Sequence, residues 1–507
     1  MGWPAIILLS TQVMLLLVFL FFSVFNYLYG FASLWQPRIR RTRHSGSKVA
    51  VVIVAFNEQY VLEGTILACD QLTYPNKVTI VADDSSDPDV VARLRQLAKS
   101  RGCQKVLEHP FYQDIPQSTG ISQRQPIEIW ESPHFILFHR PSNVGFKGGS
   151  LQQVHRFLES RGIELMYLLD ADWHPQSDAL ERTLEVLEVD QHTAFVQTKR
   201  ISSQQGMNLF QKYVALVEEG CYYVDFEGRQ VLGHPTLFSG CCTLFRLPAI
   251  ADVGGFTPGH LTEDLDLTNR FWLSGWKGIY LGNVINYGEV PFTYDHYRRQ
   301  QERWSAGTAR SLRDYFWKLV RSPRLNCLEK LSAIRQNAYF STTVLTGCAI
   351  LLGMITIGWL TFGWNSYEVE LYLYMLEPIK IPLVFLVYFC ILSNFVEPLI
   401  MIVAKKRTYR DLLHLPMMVW YAWSVLLTYI LGNIKGFFRI DFGWFRTPKF
   451  FRNQVGPLSG SPASIRVLNL CVCTTILGFY FSEGWVFGWF DTFGILLIPA
   501  FLISSLK

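Results

Sequence analysis

The chain has 507 residues, of which 50% are apolar, 15% aromatic and only 17% charged, and 46 basic residues stand against 41 acidic ones for a net charge of +5. A charged share this far below the usual quarter excludes a string of soluble domains, a disordered chain and a collagen-like repeat. The mild positive balance excludes a nucleic-acid partner, so the composition predicts a membrane protein with a folded part attached.

Residues 1–37 contain no charged side chain, a longer run than the roughly 20 apolar residues a spanning helix needs. The basic start and small-residue cleavage site of a signal peptide are missing. A basic cluster follows instead, Arg38, Arg40, Arg41, Arg43 and Lys48. By the positive-inside rule it sets the N-terminus outside and residue 38 onward in the cytoplasm.

Residues 48–325 have the mixed charge of an ordinary soluble domain. The run 48–56 (KVAVVIVAF) is continuous, apolar and β-branched up to Asn57-Glu58, the pattern of a buried parallel strand. A helix is predicted over 59–71, then a strand over 77–82 stopping at Asp83-Asp84-Ser85-Ser86-Asp87. The polar, proline-marked stretch 108–134 reads as an inserted loop. A strand over 134–139, a helix after the glycines of 145–149, and a strand over 165–169 running into Asp170-Ala171-Asp172 follow. This alternation predicts a doubly wound α/β sheet with right-handed crossovers, in which ligands bind at the carboxyl ends of strands. The acidic clusters at 58, 83–87 and 170–172 stand at such ends.

From 326 to 507 the apolar runs return. Residues 338–363 and 381–404 each suffice to span, joined by an acidic connection (Glu368, Glu370, Glu377), and 467–482 with 486–506 read as a last hairpin. The uncharged run 415–434 precedes a basic stretch, 435–466. That stretch would lie outside if 415–434 spanned, so 415–434 reads as an interfacial or re-entrant helix and 435–466 as cytoplasmic. Glu397, at membrane depth, reads either as a lining for a translocated polymer or as an end-of-helix site near the headgroups. The ten cysteines show no zinc or CxxC spacing and read as small buried hydrophobes.

Asp170 and Asp172, at i and i+2 after a strand, are hard oxygen ligands suited to Mg2+ or Mn2+ bridging phosphate oxygens. Alone, the pair is explained more simply as a solvated turn, and Asp83-Asp84 as an Asx turn. Together with Asn143-x-Gly145-x-Lys147, Thr262-Glu263-Asp264 and Gln300-Gln301-Glu302-Arg303-Trp304 they form an ordered set. That set resembles the family 2 membrane-integrated glycosyltransferases, the group of cellulose, mannan, curdlan and hyaluronan synthases. Gln-x-x-Arg-Trp is its specific element. The resemblance covers about 50–310 motif by motif and the flanking segments in architecture.

The resemblance implies a GT-A-like domain inserted between transmembrane helices, in a multi-pass protein of the plasma (inner) membrane with its catalytic domain cytoplasmic. It implies an inverting, metal-dependent β-glycosyltransferase that extends a polysaccharide, a cellulose-like β-glucan being favoured, from a UDP-sugar and translocates it. A non-processive enzyme making a glycolipid, and an inactive membrane scaffold or channel, are the alternatives. By the same resemblance Asp83 and Asp84 lie at the uracil and ribose end of the donor with Phe56 near the base, and Lys147, Gln300 and Arg303 reach the diphosphate. Asp170 and Asp172 hold the metal, Asp264 is the general base, and Trp304 stacks on the acceptor sugar. Apart from the resemblance, Glu263 beside Asp264 is expected to raise the base's pKa by like-charge repulsion. Trp444-Phe445-Arg446-Thr447-Pro448-Lys449 is similar to the gating loop of cellulose synthases, with Thr447 and Lys449 matching. The implied partners are a nucleotide sugar, a growing glycan or lipid acceptor, membrane lipids and accessory export or regulatory subunits; no oligomeric state follows. The chain departs from the pattern at Gln197-Thr198-Lys199-Arg200, where many relatives have Gln-Thr-Pro, and in the insertion 108–134.

Overall fold

A computed structural model describes residues 3–58, 61–116, 122–203, 207–362, 366–404 and 424–440. The globular elements begin, after helix α1 (Trp3–Ala32), with β1 (Val49–Ala55), α2 (Leu62–Asp70), β2 (Lys77–Asp83), α3 (Pro88–Ser100), β3 (Gln104–Lys105), β4 (Tyr112–Pro116), β5 (Ser122–Pro126), β6 (Glu128–Glu131) and β7 (Phe135–His139). They continue with α4 (Phe146–Ser160), β8 (Leu165–Asp170), β9 (His174–Pro175), α5 (Ala179–Leu187), β10 (Thr193–Ser202), α6 (Leu209–Gly220), a π-helical stretch (Cys221–Phe226), α7 (Glu227–Leu232), β11 (Thr243–Arg246), α8 (Leu247–Asp252), α9 (Glu263–Ser274) and β12 (Lys277–Gly288). The helices α10 (Tyr294–Arg321), α11 (Cys327–Asn337), α12 (Ser341–Phe362), α13 (Ser366–Leu376), α14 (Lys380–Ala404) and α15 (Leu426–Phe438) follow.

Ten strands form one mixed sheet in the order β3-β6-β7-β2-β1-β8-β11-β10-β12-β9. The central run β7-β2-β1-β8 is parallel throughout, whereas β11 runs antiparallel to both its neighbours. Side chains alternate across a strand, and β1 divides its apolar residues accordingly. Val49, Val51 and Ile53 join a core with Leu62 and Ile66 of α2, Leu94 of α3 and Leu184 of α5. Ala50 and Val52 join a second core with Val154 and Phe157 of α4 and Phe271 of α9. A strand buried on both faces must be apolar at every position, which is the pattern the sequence carries over 48–56. The doubly wound expectation therefore holds for the parallel centre, and antiparallel strands complete the sheet.

One expected segment differs, and two others gain detail. The stretch 108–134 contains the two-stranded β4–β5 hairpin and β6, which pairs antiparallel with β7. Its polar alternation reads as a loop because β5 exposes Ser122, Gln123 and Arg124; only Ile129 in β6 is fully buried against the core. The acidic connection between the two apolar runs holds a helix, α13, whose Tyr372 is buried and donates to Gln12 Oε1 of α1 at 2.8 Å. The described part of 415–434 belongs to α15, which continues to Phe438 and ends where Arg439 turns left-handed at φ 55°. The expected spans 467–482 and 486–506, and 435–466 beyond residue 440, lie outside the described residues.

Trp3–Ala32 and Lys380–Ile402 are long and apolar enough to cross a membrane, and only 11% and 17% of their apolar windows are buried, unlike core helices. Glu397 of α14 faces the domain: a Cβ on Gly220 would stand 2.9 Å from its Oε1.

Candidate active site

The carboxyl ends of β2, β1 and β8 lie side by side because the strands are parallel and in register: Ala55 pairs with Asp83 and Val54 with Asp170. Phe56, next along, is half-buried. Asn57 takes φ 56°, a left-handed position that Asn tolerates, and its N–H donates to Ser85 Oγ at 2.7 Å. Its Oδ1 accepts from the N–H groups of Ser86 and Asp87 at 3.0 and 3.1 Å. Asp87 in turn caps α3, accepting from the Asp89 N–H at 2.9 Å.

Asp83 and Asp84 are 0% and 2% exposed. Asp83 accepts from Ser85 Oγ at 2.5 Å and pairs with His139 Nδ1 at 2.7 Å. Asp84 receives a bidentate fork from buried Arg140 (2.7 and 2.5 Å) and Ser150 Oγ at 3.1 Å. Such a fork is the strong form of a charged hydrogen bond, and Arg140 also donates to the Val144 carbonyl at 3.1 Å. The two aspartates thus lock the 139–146 turn to the end of β2, and contact with a nucleoside requires one of these partners to give way. His139 and Arg140 were missed in the sequence, although His139 ends β7, the parallel neighbour of β2, opposite Asp83, and Arg140 directly follows it.

That turn delivers Lys147. Gly145 caps α4 at φ 74°. A Cβ at Gly148 would stand 2.5 Å from the Thr257 carbonyl oxygen, and one at Gly149 2.4 Å from that of Val144. With the first turn pressed against backbone on two sides, Lys147 Nζ ion-pairs with Asp170, donates to the Gly240 carbonyl at 2.8 Å and lies 3.9 Å from Glu263 Oε1. Burial works against its charge, but Asp170 and Glu263 outweigh it and hold the amine above the usual lysine range. Asp172, two residues beyond Asp170, is 4% exposed.

Glu263 and Asp264 form the first turn of α9. The Leu265 N–H donates to Asp264 Oδ1 at 2.8 Å. Oδ2 faces Gly240, where φ is +93° and a Cβ would come within 3.4 Å. Burial pushes the Glu263 carboxyl up to about 7 against the pull of Lys147, with Asp264 adding to the rise and Arg303 opposing it. Asp264 is raised too, by burial, against the Leu265 N–H, Lys147, Arg303 and Arg200. For both carboxyls burial is the largest cause of the rise, and the two like charges stand side by side at the start of α9.

Helix α10 closes the site. A Cβ on Gly307 would lie 2.3 Å from Thr262 Cγ2, so α10 sits directly on the Thr262-Glu263-Asp264 turn. Arg303 Nη1 donates to the Leu261 carbonyl at 3.0 Å. Gln300 Oε1, Arg303 Nε and Thr262 Oγ1 are buried without a hydrogen-bond partner among the described residues, a costly state that a bound polar ligand would relieve. Trp304 is half-buried beside Arg303. The alternate residues of the motif face α15: Gln301 accepts from Tyr429 Oη at 2.9 Å, and Glu302 pairs with Lys435 at 2.5 Å. Helical spacing thus sends Gln300 and Arg303 one way and Gln301 and Glu302 the other.

Among the described residues no group of three or more His, Cys, Asp or Glu converges as a ready-made metal site. Asp170 and Asp172 supply two hard carboxylates at the mouth of β8, donors that would suit a divalent cation such as Mg2+ or Mn2+. Thr447 and Lys449 lie outside the described residues.

A model of glycosyl transferase family group 2 matches residues 165–435. The chain is 30% identical over 292 residues to glucomannan 4-beta-mannosyltransferase 2 of Arabidopsis thaliana, covering 56% of this chain and 49% of the relative. It is 27% identical over 305 residues to the probable glucomannan 4-beta-mannosyltransferase 9 of Oryza sativa subsp. japonica, covering 59% and 52%. The chain thus spans about half the length of the curated relatives it matches. Among solved structures it is similar to the mannosyltransferase PcManGT from Pyrobaculum calidifontis in complex with GDP-Man and Mn2+, at 14% identity and a TM-score of 0.48, covering 87% of this chain and 99% of the other. It is also similar to TarS of S. aureus in complex with UDP, at 13% identity and a TM-score of 0.37, covering 80% and 98%. With its strand-end carboxylates, Thr-Glu-Asp turn and Gln-x-x-Arg-Trp helix inside or beside the matched region, the chain belongs to glycosyl transferase family group 2.

Proposed function

We propose that the chain is a membrane-bound, inverting β-hexosyltransferase that moves a sugar from a nucleotide sugar to a hydroxyl of a growing β-linked polysaccharide. The observation that carries this reading is the meeting, around Lys147 and Gly240, of the Asp170 strand end with the Glu263-Asp264 turn. A donor site and a base site are thereby set next to each other.

Asp264 takes the proton of the attacking acceptor hydroxyl, whose oxygen forms a bond to the anomeric carbon as the bond to the diphosphate breaks. Attack from the face opposite the leaving group inverts the anomeric centre. Lys147, Gln300 and Arg303 face the diphosphate and Trp304 the acceptor sugar, while Phe56 and the rigid Asp83–Asp84 wall border the nucleoside end. Asp170 and Asp172 would hold a divalent cation, which supplies charge neutralisation for the leaving diphosphate. Thr447 and Lys449 are assigned to contact with the nucleotide end of the donor, on the strength of the motif alone.

The relatives' names favour a mannosyl unit in the product, and the motifs accept a glucosyl unit from a UDP-sugar equally well. Passage of the polymer across the membrane by the chain's own helices, with the domain on the cytoplasmic face, completes the reading. Full-length protein in detergent, given UDP-glucose or GDP-mannose with Mg2+ or Mn2+, is expected to release nucleotide and lengthen a β-linked oligosaccharide primer. A single sugar on a lipid would replace the polymer reading, and α-linked product would contradict inversion.

A further inference from the structure

The departure at Gln197-Thr198-Lys199-Arg200 places two cations at the end of β10. Lys199 is consumed within the fold: it is 4% exposed, bonds Glu227 Oε1 at 2.5 Å and lies 3.9 Å over the Tyr223 ring. Arg200 is half-buried and held differently. Its guanidinium lies 5.3 Å from the Trp173 ring and 5.0 Å from the Tyr222 ring. Nε donates to Tyr222 Oη and Nη1 to Cys241 Sγ at 3.3 Å. Among the described residues Nη2 has no hydrogen-bond partner, while Tyr222 Oη donates onward to Ser239 Oγ at 3.2 Å. Arg200 therefore grips both ends of the turn around Gly240, whose carbonyl takes Lys147 and whose Cα faces Asp264 Oδ2.

We propose that Arg200 is a positioning and specificity-determining residue for the acceptor, holding the 239–241 turn against the base and presenting Nη2 to acceptor-sugar hydroxyls. The proposal rests on the reading of Asp264 as general base. A base that deprotonates the acceptor faces the acceptor, so a side chain bonded to the 239–241 turn that Asp264 faces borders the same subsite. A planar fork pinned between two rings loses little freedom on binding, and the Trp173 and Tyr222 rings offer apolar surface to a pyranose face. The charged groups around Asp264 are Glu263 on its own helix, Lys147 of α4, Arg303 of α10, His260 of the preceding turn and Arg200. Removing one cation favours the protonated base.

Arg200→Met and Arg200→Lys, made in the full chain, test this by initial rates with a β-linked oligosaccharide primer. Arg200→Met is expected to raise the primer KM about tenfold or more, the scale of a lost hydrogen bond from a charged donor. The donor KM stays unchanged, and the acid limb of kcat/KM moves to higher pH. Arg200→Lys restores the limb and leaves the primer KM raised. A raised donor KM with an unchanged primer KM would overturn the assignment, as would a pH limb that does not move. Asp264→Asn, run alongside, separates the two failures. Undiminished transfer there contradicts the base itself, whereas loss there with an unaffected Arg200→Met contradicts the role of Arg200 alone.

Discussion

Asp264 is a half-buried carboxylate at a helix start, faced by three cations that only partly offset its burial. Asp264→Asn keeps the shape and removes the base, so transfer is expected to fall by about 10²–10⁴-fold, with nucleotide still protecting the protein in thermal-shift assays. The sign of the pH effect follows from the raised carboxyls. The working base is ionised, so kcat/KM falls as pH drops through a limb above the ordinary carboxylate range, with Glu263 titrating near about 7. Initial rates from about pH 5 to 9 locate it; a limb near the ordinary range contradicts a buried base. The raised Glu263 also adds stability below its unfolded value, lost as pH rises through about 7. At this scale the motif residues were legible because their chemistry is carried by residue type and spacing. Arg140, His139 and Arg200 were not, because their roles come from a strand pairing and a turn that bring distant segments together.

Helices α10 and α15 show the same contrast one level up. The run 415–434 reads as apolar and uncharged, which fits the headgroup layer as well as a protein surface. What decides is the placement of small residues. A Cβ on Gly436 would stand 2.0 Å from the Ala306 carbonyl oxygen, and one on Gly432 2.7 Å from that of Glu302. Asn433 Nδ2 donates to Ser305 Oγ at 2.6 Å across the same seam. Gly436→Ala would gain about 1 kcal/mol in helix propensity, but a backbone oxygen cannot rotate away. A net loss of about 1–3 kcal/mol is expected from overpacking, read as a lower unfolding temperature in detergent. Because Gln301 and Glu302 lie on this seam, the nucleotide-protected melting temperature is expected to fall with it. The β4–β5 hairpin illustrates the other limit: an exposed polar strand lacks the alternation that marks a half-buried one, so its sequence looks like a loop.

Across the whole molecule, one polar network joins the N-terminal helix to the domain. Asp225 in the π-helical stretch accepts from Arg229 Nε at 2.6 Å and Arg335 Nη1 at 2.7 Å. Arg335 Nη2 donates to Asn26 Oδ1 of α1 at 2.8 Å, and Arg229 Nη1 to Ser332 Oγ at 2.9 Å. Ser332 Oγ also pairs with Tyr29 Oη at 2.8 Å, and a Cβ on Gly228 would fall 2.3 Å from the Tyr29 carbonyl. Asp225→Asn leaves two buried guanidinium groups without their counter-charge. It is expected to cost about 3–5 kcal/mol, measured by thermal unfolding, and to free α1 to protease digestion. Composition marked the apolar N-terminal helix; nothing in the sequence marked Asp225 or Arg335 as the groups that join it to the domain. The central claim, that this chain transfers a sugar with Asp264 as base, is tested most directly by nucleotide release with a β-linked primer and a panel of UDP- and GDP-hexoses. The wild-type chain is expected to turn over at least one donor in the presence of Mg2+ or Mn2+, and Asp264→Asn to turn over none of them at a comparable rate. Equal turnover by the two proteins would contradict the account.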